Sequence, residues 1–268
     1  MVLKVYDHNE SVCCQKVRFA LDEKGVPHER LLVDFSTGEQ FSAWFRAINP
    51  KSVVPVLIDD GHIITESSVI NEYIDEAFDG PPLMPDEPLA RARKRYWSRQ
   101  IDHLHMPHIA TISFAIAFRH SLLSAMQTEA SRQQYLAQLR DPMSAYMQRE
   151  IFDQGIDAPI FTDAIIEFDR LLTDMEENLQ NSPWLAGDQF SLADIDVAPY
   201  IWRLNTLQLS AMWAQRPAVT DWCNRVWGRD SWQRTVVSQH LPEWIDNMRD
   251  HGIAAQAAVI DIIAKHQD

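Results

Sequence analysis

Cysteine, glycine and basic charge are all scarce in this chain of 268 residues. Of three cysteines, Cys13 and Cys14 are adjacent and Cys223 sits in an apolar helical pattern, so no disulfide framework can form. That usage predicts a reducing compartment. Eight glycines against nine tryptophans exclude collagen-like and disordered classes. Lysine and arginine number 24 against 38 acidic residues, a formal net charge of −14. The deficit excludes a duplex nucleic-acid binder, whose affinity comes from neutralising phosphates, and disfavours an anionic membrane surface. Long apolar runs are missing too. The stretch 108–118 is free of Asp, Glu, Lys, Arg and Pro but far short of the roughly 20 residues of a membrane span. The opening MVLKVYDHNE carries charge and no apolar run, so no secretory signal is expected. The expectation is a soluble, cytoplasmic protein. With 46% hydrophobic residues it can build one large core or two ordinary ones.

The first eighty residues change period repeatedly. Residues 2–6 read as a strand, and 11–24 as a helix with Val17, Ala20 and Leu21 on one face and Gly25 as its stop. Residues 28–33 read as a second strand, and 39–48 as a short helix ended before Asn49-Pro50. Residues 55–58 and 62–65 form a hairpin around Asp59-Asp60-Gly61. Residues 66–78 close the unit as a helix with Ile70, Tyr73, Ile74 and Ala77 inward. The order is β-α-β-α-β-β-α, parallel where a crossover joins the first two strands and antiparallel at the hairpin.

A break follows, with four prolines in residues 79–88. Beyond it the pattern is helical to the end. Ile165, Phe168, Leu172, Met175 and Leu179 form an amphipathic stripe. Ser191-Leu192-Ala193-Asp194 has the form of a helix start, the hydroxyl accepting from the third amide and the acid answering it. The reading is an N-terminal domain at 1–80, a Pro-rich linker at 81–88 and an all-helical domain at 89–268. No internal repeat is present.

Several motifs meet in order: the small αβ unit, Val54-Pro55 before its third strand, Thr65-Glu66-Ser67-Ser68 opening its last helix, and Ser-Leu-Ala-Asp in a helical second domain. Together they resemble the cytosolic glutathione transferase family. The segment 11–18 is similar to that of serine-type bacterial members. Residues 119–159 add about forty positions to a compact helical domain, as in the bacterial lignin β-aryl-ether-cleaving subgroup and its fungal-type cousins. One departure stands: that subgroup carries Asn and Ser where this chain has Cys13 and Cys14. The resemblance implies a thioredoxin-like N-terminal domain, an all-α C-terminal domain and a site in the cleft between them. It further implies glutathione as cosubstrate and a homodimer.

The chemistry can then be assigned residue by residue. Glutathione's thiol must ionise to attack, and a hydroxyl at the first turn of a helix can hydrogen-bond the anion; Ser11 is placed for it. As an N-cap alone, Ser11 would satisfy only the helix. Cys13 is the competing nucleophile, favoured by the same helix end, and would support a mixed disulfide as in related dehalogenases. Packing under the helix is the plain alternative for both cysteines. The resemblance implies a cis bond at Val54-Pro55, leaving Val54 to pair with the extended peptide. Amides at the start of the third helix and the Ser67 hydroxyl suit the γ-glutamyl carboxylate, and Glu66 its ammonium. Gln40 or Lys51 would hold the glycyl carboxylate.

Other constellations give nothing. His103, His105 and His108 offer one pair at same-face spacing, disturbed by Pro107, so no metal is expected. The resemblance implies that the stretch 102–108 lines the electrophile cleft, because the first long helix of the second domain faces the glutathione site in that family. Nucleotide and hydrolase motifs are absent. The function implied is a glutathione transferase acting on a hydrophobic, aromatic electrophile, in detoxification or aromatic-compound metabolism. A Cys13-based reductase or dehalogenase, or a non-catalytic ligand-binding module of the same fold, are the alternatives.

Overall fold

The computed structural model describes residues 2–267. By contacts it divides into two compact units. The first holds residues up to Ile101 together with Asn178–Pro199 and Asp221–Leu241; the second holds Asp102–Glu177, Tyr200–Thr220 and the chain from Pro242 on.

The first unit is built on four strands: β1 Leu3–Asp7, β2 His28–Leu32, β3 Val56–Asp59 and β4 His62–Thr65. Their order across the sheet is β2-β1-β3-β4. The β1–β2 pair is parallel, and the β1–β3 and β3–β4 pairs are antiparallel, as the crossover and the hairpin require. Helices α1 (Val12–Lys24) and α3 (Ser67–Ala77) pack against one another; Leu3, Val5, Val17, Leu21, Leu57, Ile70 and Ile74 make the core. Gly25 stops α1 in the left-handed region, at φ 73°, its N–H returning to Leu21 and Asp22. A second cluster buries Cys14, Val33, Phe45, Val54 and Val56.

Two local expectations need correction. The helix expected at 39–48 divides into a 3-10 turn, Glu39–Phe41, and α2, Ala43–Ile48, because the Ser42 hydroxyl accepts from the Phe45 amide and starts a new helix. Ala77, expected inward, is exposed at the last position of α3.

In the same unit α4 runs Pro88–Arg99, and α10 (Leu192–Thr206) begins. The Ser191 hydroxyl accepts from the second amide, Ala193, at 3.2 Å rather than from the third. Asp194 does answer the Ser191 N–H, at 3.0 Å, and also takes the Leu185 N–H and the Trp222 indole N–H. Burial pushes its carboxyl up to about 6 in spite of those donors. Helix α12, Asp230–Thr235, and a 3-10 turn, Val237–Gln239, complete the unit.

The second unit is helical. α9, Pro159–Leu179, buries Ile165, Phe168, Leu172 and Met175 completely, as the stripe requires. Residues 119–159 contain α6 (Arg119–Ala125), α7 (Glu129–Leu136) and α8 (Pro142–Gln154). Thr128 and Asp141 cap the last two, and Arg119 donates to the Ile151 and Phe152 carbonyls at the end of α8. The long α13, Pro242–Gln267, passes Leu207 so closely that a Cβ at Gly252 would lie 2.0 Å from its carbonyl oxygen. Among the described residues no single helix is long and apolar enough to cross a membrane.

Candidate functional site

Strand register gathers the candidate residues at one end of the sheet. The pairs Asp7↔Leu32, Tyr6↔Val56 and Val56↔Thr65 are the last of the three ladders on that side. At that end β1 leads to Ser11 and Cys13, β2 leads toward Gln40, Val54-Pro55 leads into β3, and β4 leads to Glu66-Ser67.

Ser11 keeps φ −75° and ψ 117°, outside the helix it caps, and its Oγ accepts the Cys14 N–H at 3.3 Å. Capping uses the Ser11 oxygen only as an acceptor; its proton faces the neighbouring Cys14 sulfur and would have to turn from it to be donated to an anion. Cys13 is half-exposed in the first turn of α1, whereas Cys14 is buried. Burial, followed by the neighbouring Asp7 carboxylate, pushes the Cys14 thiol well above its ordinary range; Arg18, the Ser11 side chain and the His8 backbone offset only part. Cys14 is therefore a protonated packing residue. Asp7 itself is lowered, because Arg18 and Arg30 outweigh the burial that would raise it.

The Val54–Pro55 peptide is cis. Val54 lies two residues before Val56, so its main chain stands outside both ladders of β3. Glu66 follows β4 with φ 69°, a left-handed conformation that non-glycine residues hold only where the surroundings impose it. Its side chain does not cap α3, which leaves the first-turn amides facing out of the helix end beside the buried Ser67. Lys51, a candidate for the opposite end of the peptide, instead pairs with Glu66 at 2.7 Å, both side chains being largely exposed. Gln40 is buried, and its Oε1 has no hydrogen-bond partner among the described residues.

Behind the α3 N-terminus lies a polar cluster that the sequence reading did not single out. Lys16 Nζ donates to Ser68 Oγ at 2.6 Å and lies 3.5 Å from Asp196. Asp196 is completely buried, receives Ser98 Oγ and Asn71 Nδ2 at 2.6 and 3.0 Å, and faces Lys94 at 3.8 Å. Burial would raise its carboxyl, but Lys16 and Lys94 hold it below the usual range. The available signal was Asp196 alone, a charge between Ile195 and Val197; Lys94, between Arg93 and Arg95, carries none.

The stretch 102–108 falls in the second unit, where Gln100–His105 is π-helical and α5 begins at Met106. His105 is buried edge-on to Phe168 at 5.4 Å. Burial lowers it to about 4, and lowers its neighbour His108 as well.

A four-stranded mixed sheet whose third strand follows a cis-proline, with helices and a helical remainder after it, defines the glutathione transferase fold. The glutathione S-transferase N-terminal domain model matches residues 10–77, and its C-terminal domain model residues 105–230. Protein LigF of a Sphingobium species is 30% identical over 197 residues, 73% of this chain and 76% of that one. The crystal structure of β-etherase LigF from Sphingobium sp. strain SYK-6 gives a TM-score of 0.79 at 27% identity, covering 89% of this chain and 100% of that one. A stringent starvation protein A homolog from Pasteurella multocida is 28% identical over 235 residues, 88% of this chain and 90% of that one. A tetrachloro-p-hydroquinone reductive dehalogenase from Sphingobium chlorophenolicum is 25% identical over 248 residues, 90% and 97% of the two chains. The chain belongs to the glutathione S-transferase family, and glutathione is its cosubstrate.

Proposed function

We propose that this transferase activates glutathione through Ser11 and directs the thiolate at a hydrophobic, aromatic electrophile. The observation that carries the reading is the N-cap geometry: the Ser11 hydroxyl sits at the start of α1 with its proton uncommitted to the cap. The thiolate would form a carbon–sulfur bond while the leaving group departs with its electron pair. With an aryl ether the leaving group is a phenolate and the product a glutathione thioether; the likeness to β-etherase LigF supports this version. The Cys13 alternative, a mixed disulfide in reductive chemistry, is favoured by its half-exposed position and by the likeness to the reductive dehalogenase.

In this reading Val54 pairs with the cysteinyl backbone, and the α3 amides with Ser67 hold the γ-glutamyl carboxylate. Glu66 faces the ammonium, with Lys51 as its countercharge. Gln40 is left as the glycyl-end residue, because turning its amide presents an N–H where the unpartnered Oε1 now lies. A domain boundary at 81–88, a cytoplasmic location and a role in detoxification or aromatic metabolism belong to the same proposal. So does a homodimer, which the charge on α4 supports: Arg91, Arg93, Arg95 and Arg99 make no ion pair among the described residues, in a chain of net charge −14.

Titration calorimetry tests the binding part. Glutathione should bind at millimolar affinity or better, with Ser67→Ala weakening it severalfold. Absence of binding would leave only the non-catalytic module.

A further inference from the structure

Glu10, immediately before Ser11, is a carboxylate with 2% of its side chain exposed. Its two oxygens lie 3.0 and 2.9 Å from Nδ1 of His240, itself 7% exposed and 230 positions away. With Glu10 ionised, the ring nitrogen facing both of its oxygens carries the proton and donates to it. A carboxylate so deeply buried is costly to leave without such a donor. The Glu10 N–H donates in turn to His8 Nδ1 at 3.3 Å, and the Ser11 N–H to the His8 carbonyl at 3.1 Å.

The contact is the last of three from the same short segment. Arg18 donates to the Thr235 carbonyl at 2.7 Å while its other nitrogens hold Asp7, His8 and Asn9. Arg30 donates to Gln239 Oε1 at 2.6 Å and also grips Asp7 and Asn9. Arg18 and Arg30 thus tie down Asp7, His8 and Asn9, His240 holds Glu10, and all three contacts reach a segment that begins at the end of α12 and stops just before α13. Asp7, Arg18 and Arg30 hold the start of the loop. The Glu10–His240 contact ties the side chain adjacent to Ser11.

We infer that His240, acting through Glu10, is a positioning residue for the Ser11 hydroxyl. The inference rests on the Ser11 reading above. A hydrogen bond to a thiolate weakens steeply as its geometry spreads. Loosening residue 10 should therefore weaken the bond without touching the peptide holds at Val54 and Ser67, which lie on other segments.

The test compares wild type, Ser11→Ala, His240→Ala and His240→Gln, reading the ultraviolet absorbance of bound glutathione thiolate across pH. Calorimetric affinity and melting temperature are measured in parallel. His240→Ala should raise the bound thiol pKa by about half a unit to one unit, a three- to tenfold loss of thiolate at neutral pH. Glutathione affinity should stay within about twofold. His240→Gln, whose amide can donate to Glu10, should restore most of the thiolate. If Ser11→Ala shifts the thiol pKa while His240→Ala lowers only the melting temperature, the positioning role is wrong and the Ser11 reading stands. If Ser11→Ala itself leaves the thiol pKa unchanged, both fall.

Discussion

An unperturbed thiol ionises near pH ~8.5, so a thiolate dominant at pH 7 asks for a fall of about two units, about 2.7 kcal/mol. One hydrogen bond to a charged sulfur contributes about 1.5–3 kcal/mol, and a helix N-terminus roughly 0.3–1. In the proposed reading Ser11, at the head of α1, would supply both. Ser11→Ala should raise the bound thiol pKa by about one to two units, at 1.36 kcal/mol per unit. Thioether formation at neutral pH would fall about ten- to hundredfold and recover partly in alkali, as steady-state pH profiles would record. Cys13→Ser should leave that activity within a few-fold; its abolition in a folded, glutathione-binding variant would move the chemistry to the thiol. At this scale local features were legible in the sequence, the N-cap at Ser11 and the cis bond at Val54-Pro55 among them. It was silent where two distant residues meet. Nothing in Lys51 or Glu66 alone announces their pairing, and nothing in Glu10 points to His240.

Among the elements, α1, α3, α4 and the start of α10 share one buried charge cluster. Asp196→Ala would leave Lys16 and Lys94, both fully buried, without their shared carboxylate. Breaking a buried pair costs about 3–5 kcal/mol, so the midpoint of denaturant unfolding should drop accordingly. The π-helical turn ending at His105 makes a second prediction. His105 is about 4 in the folded chain against 6.5 as its ordinary value, so the unfolded state binds more protons between those limits. Its contribution is fully present above pH 6.5 and is lost as pH falls toward 4, by about 3 kcal/mol in all. Compared with His105→Phe, which retains a ring against Phe168 and cannot titrate, wild type should lose stability over that interval. Most of these elements were legible from period and caps. Gly25 stopped α1 as expected, while Ser42 divided the second helix because a hydroxyl three residues before an amide starts a new one. The π turn was not legible, since periodicity near Pro107 carries no mark of one extra residue per turn.

For the molecule as a whole, composition limited the partners early: a net charge of −14 leaves little for polyanions. Against that background α4 places Arg91, Arg95 and Arg99 four residues apart, a spacing at which like charges destabilise an isolated helix. A two-fold partner presenting acidic surface would relieve it. Light scattering should give twice the 30.9 kDa chain mass at micromolar concentration. Arg91→Glu with Arg95→Glu should shift the population toward monomer; a wild type that is monomeric throughout would refute the dimer. The substrate remains the least legible property, because an electrophile pocket built from helix faces has no motif of its own.

The most direct measurement is a crystal structure of the glutathione complex. The account predicts the glutathione sulfur at hydrogen-bond distance from Ser11 Oγ, about 3–3.5 Å, with the cysteinyl backbone against Val54 and the γ-glutamyl carboxylate on the α3 amides. A sulfur bonded to Cys13 Sγ at about 2.05 Å, or one with no contact to Ser11, would contradict it.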